Sequence, residues 1–272
     1  MGHGIALVGA KQGFDVVMRD IKEELVETGM KRIEKFLAKS VEKEKVSQRK
    51  KNQIISRIKG TTRMEDLKDC DLVIEAIVEN PDLKKKLFHE LDNLCLKNTI
   101  FASNTSAISI TEIASATHRA DRFIGMHFMN PVPIMELVEV VRGLETSPRT
   151  MEIVKATVKK MGKIPIEVND YPGFISNRLL IPMINEAIYC LMEGVGPRES
   201  IDKVMKIGMK HPMGPLELAD LIGLDTCLYI MEELYKSFSD SKYRPCPLLK
   251  KMVKAGYLGR KTGRGFYKYN ES

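Results

Sequence analysis

The chain has 272 residues, 43% of them hydrophobic and 29% charged, the profile of folded globular domains rather than of a disordered chain. No apolar run approaches the roughly 18 residues of a membrane span, and no basic segment leads into an apolar signal core, so a cytoplasmic protein is expected. The 43 basic and 36 acidic side chains leave a net charge of only +7. The five cysteines (Cys70, Cys95, Cys190, Cys227, Cys246) are scattered without a C-x-x-C pair, against both a disulfide framework and a metal site.

The first half alternates short β-like runs with helical ones, which predicts a parallel, doubly wound sheet. Gly2-His3-Gly4 precedes a short apolar helix over Ile5 to Lys11, with Gly13 as its stop, and Asp15 to Arg19 reads as a strand. A proline-free stretch from 21 to 58 predicts a helical excursion of two helices. Leu72 to Ile77 reads as a buried strand. Asp82, just after Pro81, is a candidate N-cap for a helix to Leu94. Ile100 to Ala102 is a further strand leading into Ser103-Asn104-Thr105-Ser106, and Ser109 and Glu112 form a capping box.

Two β-rich runs follow, Phe123 to Phe128 and Leu137 to Val141, with Asn130-Pro131-Val132-Pro133 between them. Prolines cannot donate to a ladder, so the chain should break there. If the runs fold back as an antiparallel pair, His127 and Glu139 can face each other. A histidine steered by a buried carboxylate is a general base; the plainer reading is a surface histidine beside an unrelated glutamate. Ser147 to Met161 then reads as a helix and Ile164 to Val168 as a last strand.

A boundary is expected at Asn169 to Gly173, dividing the chain into domains of residues 1–169 and 170–272. Beyond it helices are predicted over Phe174 to Glu193, Arg198 to Met209, Pro215 to Ile222 and Leu224 to Phe238. Met183, Ala187, Leu191 and Met192 trace an apolar face on the first of these. The basic stretch from Lys31 to Lys59 reads first as a solvated helical face. Only Phe36 interleaves with its charges and tryptophan is absent, so nucleic acid is not an expected partner.

Five segments together carry a resemblance: FASNTSAISITEIA (101–114), RFIGMHFMNPVPIMELVEV (122–140), PGFISNRLLIPMINEA (172–187), HPMGPLELADLIGLD (211–225) and LGRKTGRGFYKY (258–269). The chain resembles the L-3-hydroxyacyl-CoA dehydrogenase family over nearly its whole length. That implies a Rossmann-like doubly wound sheet followed by an all-α domain. It also implies an NAD-dependent enzyme that interconverts (3S)-3-hydroxyacyl-CoA, 3-hydroxybutyryl-CoA above all, with 3-oxoacyl-CoA, and a homodimer formed through the helical domain. A free-hydroxyacid dehydrogenase and a non-catalytic binding protein of the same fold are the alternatives.

The resemblance carries over to individual residues. His127 matches the base that takes the proton from the C3 hydroxyl, and Glu139 the carboxylate that orients it. Ser106 matches the hydroxyl bonded to the C3 oxygen, and Asn177 a residue that positions substrate. Asn130, Glu79 and Lys84 match positions near the cofactor; taken alone, Asn130 is a turn former and the other two are solvated charges. Gly2 matches the end of a glycine loop whose earlier glycines and preceding strand the sequence lacks, so a gap in the parallel sheet and weakened NAD binding are expected. Asp20, at the end of the strand that follows, suits the ribose hydroxyls of NAD, while Arg19 beside it keeps NADP open. The basic stretch gains a reading as a contact for the phosphates of coenzyme A.

Overall fold

The computed structural model describes residues 1–269. Contacts divide the chain into two units, the first running from Met1 to Asp170 and the second beginning at Tyr171.

The first unit is a layered α/β structure. Its elements in order are α1 (Gly2–Lys11), β1 (Val16–Arg19), α2 (Glu23–Glu42), α3 (Gln48–Ile55), β2 (Ile58–Thr61), β3 (Leu72–Glu75), α4 (Pro81–Leu94), β4 (Ile100–Ser103), α5 (Ile110–Ala114), β5 (Phe123–Phe128), β6 (Leu137–Arg142), α6 (Pro148–Lys160) and β7 (Ile164–Asn169). β1 and β2 pair in parallel, and β3-β4-β5-β6-β7 form a second sheet in which only β5 and β6 run antiparallel. Among the described residues no ladder joins the β1-β2 pair to the five-stranded sheet.

β4 and β5 are buried along their whole length because helices cover both faces. On one face Ile5 and Val8 of α1 and Met151, Val154 and Val158 of α6 pack against Ile100, Ala102, Ile124, Met126, Val138 and Val140. The other face is aromatic: Phe88 of α4 lies 5.5 Å from Phe101 and 4.6 Å from Phe123 between ring centroids. Such pairs add about 0.5–1.5 kcal/mol beyond the area they bury. α1 is apolar nearly all round because its opposite side meets Ile33 and Leu37 of α2, Ile54 of α3 and Ile58 of β2.

Several predicted boundaries move, each for a local reason. Gly2 and Gly4 lie inside the first turn of α1 rather than before it. A Cβ on Gly4 would stand 3.0 Å from Cβ of Val132, so the small residue there admits the turn between β5 and β6. The N-cap of α4 is Asn80, whose side chain accepts from Leu83 N; Pro81 takes the first helical position and Asp82 falls one residue inside. The excursion ends in a strand: Ile58 to Thr61 pairs with β1, and its buried Ile58 and Thr61 flank exposed Lys59 and Gly60. That run is too short to be told from a helix end by periodicity. β3 stops at Glu75 rather than at Ile77.

The second unit contains α7 (Ser176–Met192), α8 (Arg198–Lys203), α9 (Pro215–Ile222), α10 (Leu224–Phe238) and α11 (Pro247–Lys254). The buried face of α7 is Ile181, Ile184, Ala187 and Ile188; Met183 and Leu191 are only half-buried and Met192 is exposed, so the expected stripe is rotated. The helix expected over Arg198 to Met209 is α8 followed by a π-helical turn over Val204–Gly208, and α11 was not foreseen. Two buried carboxylates tie the unit together. Asp202 accepts from the backbone of Leu216 and Glu217 at the start of α9 and from the Tyr267 hydroxyl. Asp220 accepts from the backbone of Phe266 and Tyr267 and from the Tyr269 hydroxyl. Asp170, the last residue of the first unit, caps α5 by accepting from Ser109 Oγ and from the backbone of Ile110 and Thr111.

Candidate active site

The hairpin of β5 and β6 sets His127 directly opposite Glu139 in register. Both side chains are buried, and His127 Nδ1 lies 2.8 Å from Glu139 Oε2. A carboxylate only accepts, so Nδ1 carries the proton and Nε2 holds the basic lone pair. That nitrogen faces Ser106 Oγ at 3.1 Å, and the serine hydroxyl donates to it. Three residues from three segments thus form one line of hydrogen bonds: carboxylate, imidazole, hydroxyl.

The turn between the two strands is held from below. Lys163 Nζ, buried at the start of β7, donates to Val132 O at 2.7 Å and Met135 O at 2.6 Å. Burial lowers its pKa from the ordinary lysine value. Asn130 lies in this turn, exposed, before a cis bond to Pro131. Asn104 accepts through Oδ1 from Phe128 N at 2.9 Å, which fastens the end of β4 to the residue after His127. Sequence reasoning passed over both Lys163 and Asn104. The only sequence signal was a polar residue next to an apolar strand, which is common at strand ends.

Lys84 is not a solvated charge, and Glu79 is only partly exposed. Lys84 is 1% exposed and its Nζ lies 2.6 Å from Glu75 Oε1 and 3.2 Å from Glu79 Oε2. Ser103 Oγ donates to Glu75 Oε2 at 2.6 Å, and Ile77 N to Glu75 Oε1 at 2.6 Å. An ion pair removed from water is tolerated when its remaining lone pairs are satisfied, and here they are. Glu79 Oε1 in turn accepts from the Thr105 hydroxyl and from the backbone of Ser106 and Ala107.

Gly2 opens α1 and Asp20 follows β1, its Oδ1 accepting from Ile21 N. The residues there fit the diphosphate of a dinucleotide. No side chain caps the first turn of α1, a Cβ on Gly2 would meet nothing within 4 Å, and burial, with the positive charges of the N-terminus and then of Arg32, lowers the pKa of His3. Asn177 belongs to the second unit, in the first turn of α7, with its backbone N–H donating to Gly173 O. Among the described residues no group of three His, Cys, Asp or Glu side chains could hold a metal ion, and no helix is long and apolar enough to cross a membrane.

Comparison with known proteins gives this arrangement a family. The description "3-hydroxyacyl-CoA dehydrogenase, NAD binding domain" matches residues 1–171, and "3-hydroxyacyl-CoA dehydrogenase, C-terminal domain" matches residues 173–269. The chain is 58% identical over 271 residues to a probable 3-hydroxybutyryl-CoA dehydrogenase of Bacillus subtilis, covering 100% of this chain and 94% of that one. It is 44% identical to the mitochondrial hydroxyacyl-coenzyme A dehydrogenase of Homo sapiens over 99% of its own length and 88% of the relative's. Among solved structures, (S)-3-hydroxybutyryl-CoA dehydrogenase from Ralstonia eutropha superposes with a TM-score of 0.97 at 54% identity, covering 100% of this chain and 96% of that one. With a Rossmann-like NAD-binding domain and a helical C-terminal domain both matched along nearly their whole length, the chain belongs to the 3-hydroxyacyl-CoA dehydrogenase family.

Proposed function

We propose that the protein oxidises the C3 hydroxyl of a short-chain (3S)-3-hydroxyacyl-CoA, 3-hydroxybutyryl-CoA above all, to the 3-oxo thioester, reversibly and with NAD. The observation that carries this reading is the line from Glu139 through His127 to Ser106, with the basic nitrogen of the imidazole on the side away from the carboxylate. His127 Nε2 takes the hydroxyl proton, and Glu139 stabilises the imidazolium that results. Ser106 holds the C3 oxygen within reach of that nitrogen. Bound NAD supplies the acceptor for the hydride leaving C3. In the reverse direction His127 returns the proton to the oxygen.

Gly2 and Asp20 are assigned to the cofactor, the first to its diphosphate and the second to a ribose hydroxyl, where a carboxylate favours NAD over the 2′-phosphate of NADP. Glu79, Lys84 and Asn130 are assigned to the nicotinamide side, and Asn177 to substrate positioning, on the strength of their motifs. The exposed apolar side chains Val195, Val204, Ile207 and Met209 of the helical unit support a homodimer formed through it.

The test is a direct assay: NADH consumption with acetoacetyl-CoA, beside the same assay with free acetoacetate and with NADPH. Turnover confined to the thioester with NADH is expected. Preference for the free acid would replace the thioester reading with a hydroxyacid dehydrogenase, and no turnover with any of them would leave a binding protein.

A further inference from the structure

Ser106 is useful as a substrate hydroxyl only if the loop that carries it is held still, and the loop's anchor lies outside the His127–Glu139 pair. A single oxygen, Oε1 of Glu79, accepts from the Thr105 hydroxyl, from Ser106 N at 2.8 Å and from Ala107 N at 3.2 Å. The other oxygen faces Lys84 Nζ at 3.2 Å. Lys84 is in turn locked by Glu75, whose second oxygen takes the hydroxyl of Ser103 at the start of the same loop. The loop is therefore gripped at 103 and again at 105–107 by two carboxylates that share one buried ammonium. Neither carboxylate is on the strand that bears the histidine.

We infer that Glu79 is a positioning residue for the reaction: by collecting the amides of Ser106 and Ala107 it fixes Ser106 Oγ at hydrogen-bonding distance from His127 Nε2, and Lys84 keeps it aimed at the loop. This rests on the reading of Ser106 as the group that holds the C3 oxygen. A carboxylate receiving backbone N–H groups makes charge-assisted bonds, roughly twice as strong as neutral ones. Losing them releases the loop, and a shift of about 1 Å in a positioning group can cost on the order of 10²-fold in rate. Glutamine in place of Glu79 keeps the size of the side chain but presents only one acceptor, and its amide would also face the Lys84 ammonium.

The experiment is a double-mutant cycle on the full chain with Glu79→Gln, Ser106→Ala and the pair, measuring kcat and KM for acetoacetyl-CoA, NADH affinity by fluorescence, and hydrogen exchange at the amides of Ser106 and Ala107. The expected result for Glu79→Gln is a kcat lowered about tenfold or more, with faster exchange at both amides. In the Ser106→Ala background it should cost no more than about a further twofold. Losses that multiply in the double variant, or a loss confined to NADH affinity, would overturn the inference. Near-normal turnover of Ser106→Ala alone would sink the reading of Ser106 and the inference with it, and that outcome shows in the single variant. Should Glu79→Gln fail to fold, Thr105→Val removes one anchor of the same oxygen, and the same lack of additivity is expected at a smaller loss.

Discussion

His127 and Glu139 are paired residues of an antiparallel ladder as well as hydrogen-bonded partners, so the backbone register itself holds Nδ1 2.8 Å from the carboxylate. Slipping β6 by one residue would turn Glu139 to the opposite face of the sheet. A row of main-chain hydrogen bonds therefore keeps Glu139 opposite His127, and the carboxylate then orients the imidazole.

Glu139→Gln should consequently leave the fold standing and remove the chemistry. The amide cannot stabilise an imidazolium, and its nitrogen can turn the ring to the other tautomer. A fall in kcat of about 10²- to 10⁴-fold is expected, with a circular-dichroism spectrum and a urea midpoint close to those of the unaltered chain. Turnover within a factor of three would remove Glu139 from the mechanism.

Ser106→Ala deletes the hydrogen bond to His127 Nε2, the group that takes up the proton in the proposed reaction. Such bonds contribute about 1.5–3 kcal/mol, so kcat should drop by roughly 10- to 100-fold. KM for the thioester should change less than kcat, because the bond gains strength as charge develops. A rise in KM alone would place Ser106 in ground-state binding only.

Asp92 makes acid stability testable. Its carboxylate is buried, which by itself would raise its pKa, yet the backbone and ring of His118 and the guanidinium of Arg119 outweigh this and hold it below the ordinary 3.8. The unfolded chain then binds more protons in the window below 3.8, so the stabilisation is complete above that pH and disappears as pH falls through the folded value. In urea titrations at successive pH values, Asp92→Asn should be less stable than the unaltered chain at pH 6, and the gap should narrow below pH 3.8. A gap independent of pH would mean that the charge of Asp92 contributes nothing.

Gly265→Ala probes the closure of the helical unit. A Cβ there would stand 1.8 Å from Oδ1 of Asp220, the oxygen that accepts from Phe266 N. Relief of that clash must move the carboxylate off buried donors, each costing about 1–3 kcal/mol when left unpaired. A loss of about 2–4 kcal/mol is expected in urea unfolding, while Gly208→Ala, where a Cβ meets nothing within 4 Å, should stay within about 0.5 kcal/mol. Equal effects at the two positions would contradict the role given to Asp220.

The βα rhythm of the first unit was legible because its strands and helices differ in period, and the mostly apolar runs of β4 and β5 read as strands. β2 was not, since four residues of which only the end ones are buried resemble the tail of the helix before them. The helical face of α7 was misplaced for a related reason. An apolar helix carries more than one plausible stripe, and only its neighbours α9, α10 and α11 choose among them.

At the candidate site, the residue types and their order along the chain were determined by the sequence alone: a histidine and a glutamate flanking a proline-broken turn, and a serine after a strand. Periodicity and proline chemistry are local and survive in one dimension. What Glu79, Lys84, Asn104 and Lys163 do was decided only by the tertiary structure. The hydrogen bonds of Glu79, Asn104 and Lys163 in this network join residues 24 to 31 positions apart, and Lys84 reaches Glu75 nine positions away across β3 and α4. Whether a charged residue faces water or a buried partner depends on which segments the sheet brings side by side, and no local pattern in the chain encodes that.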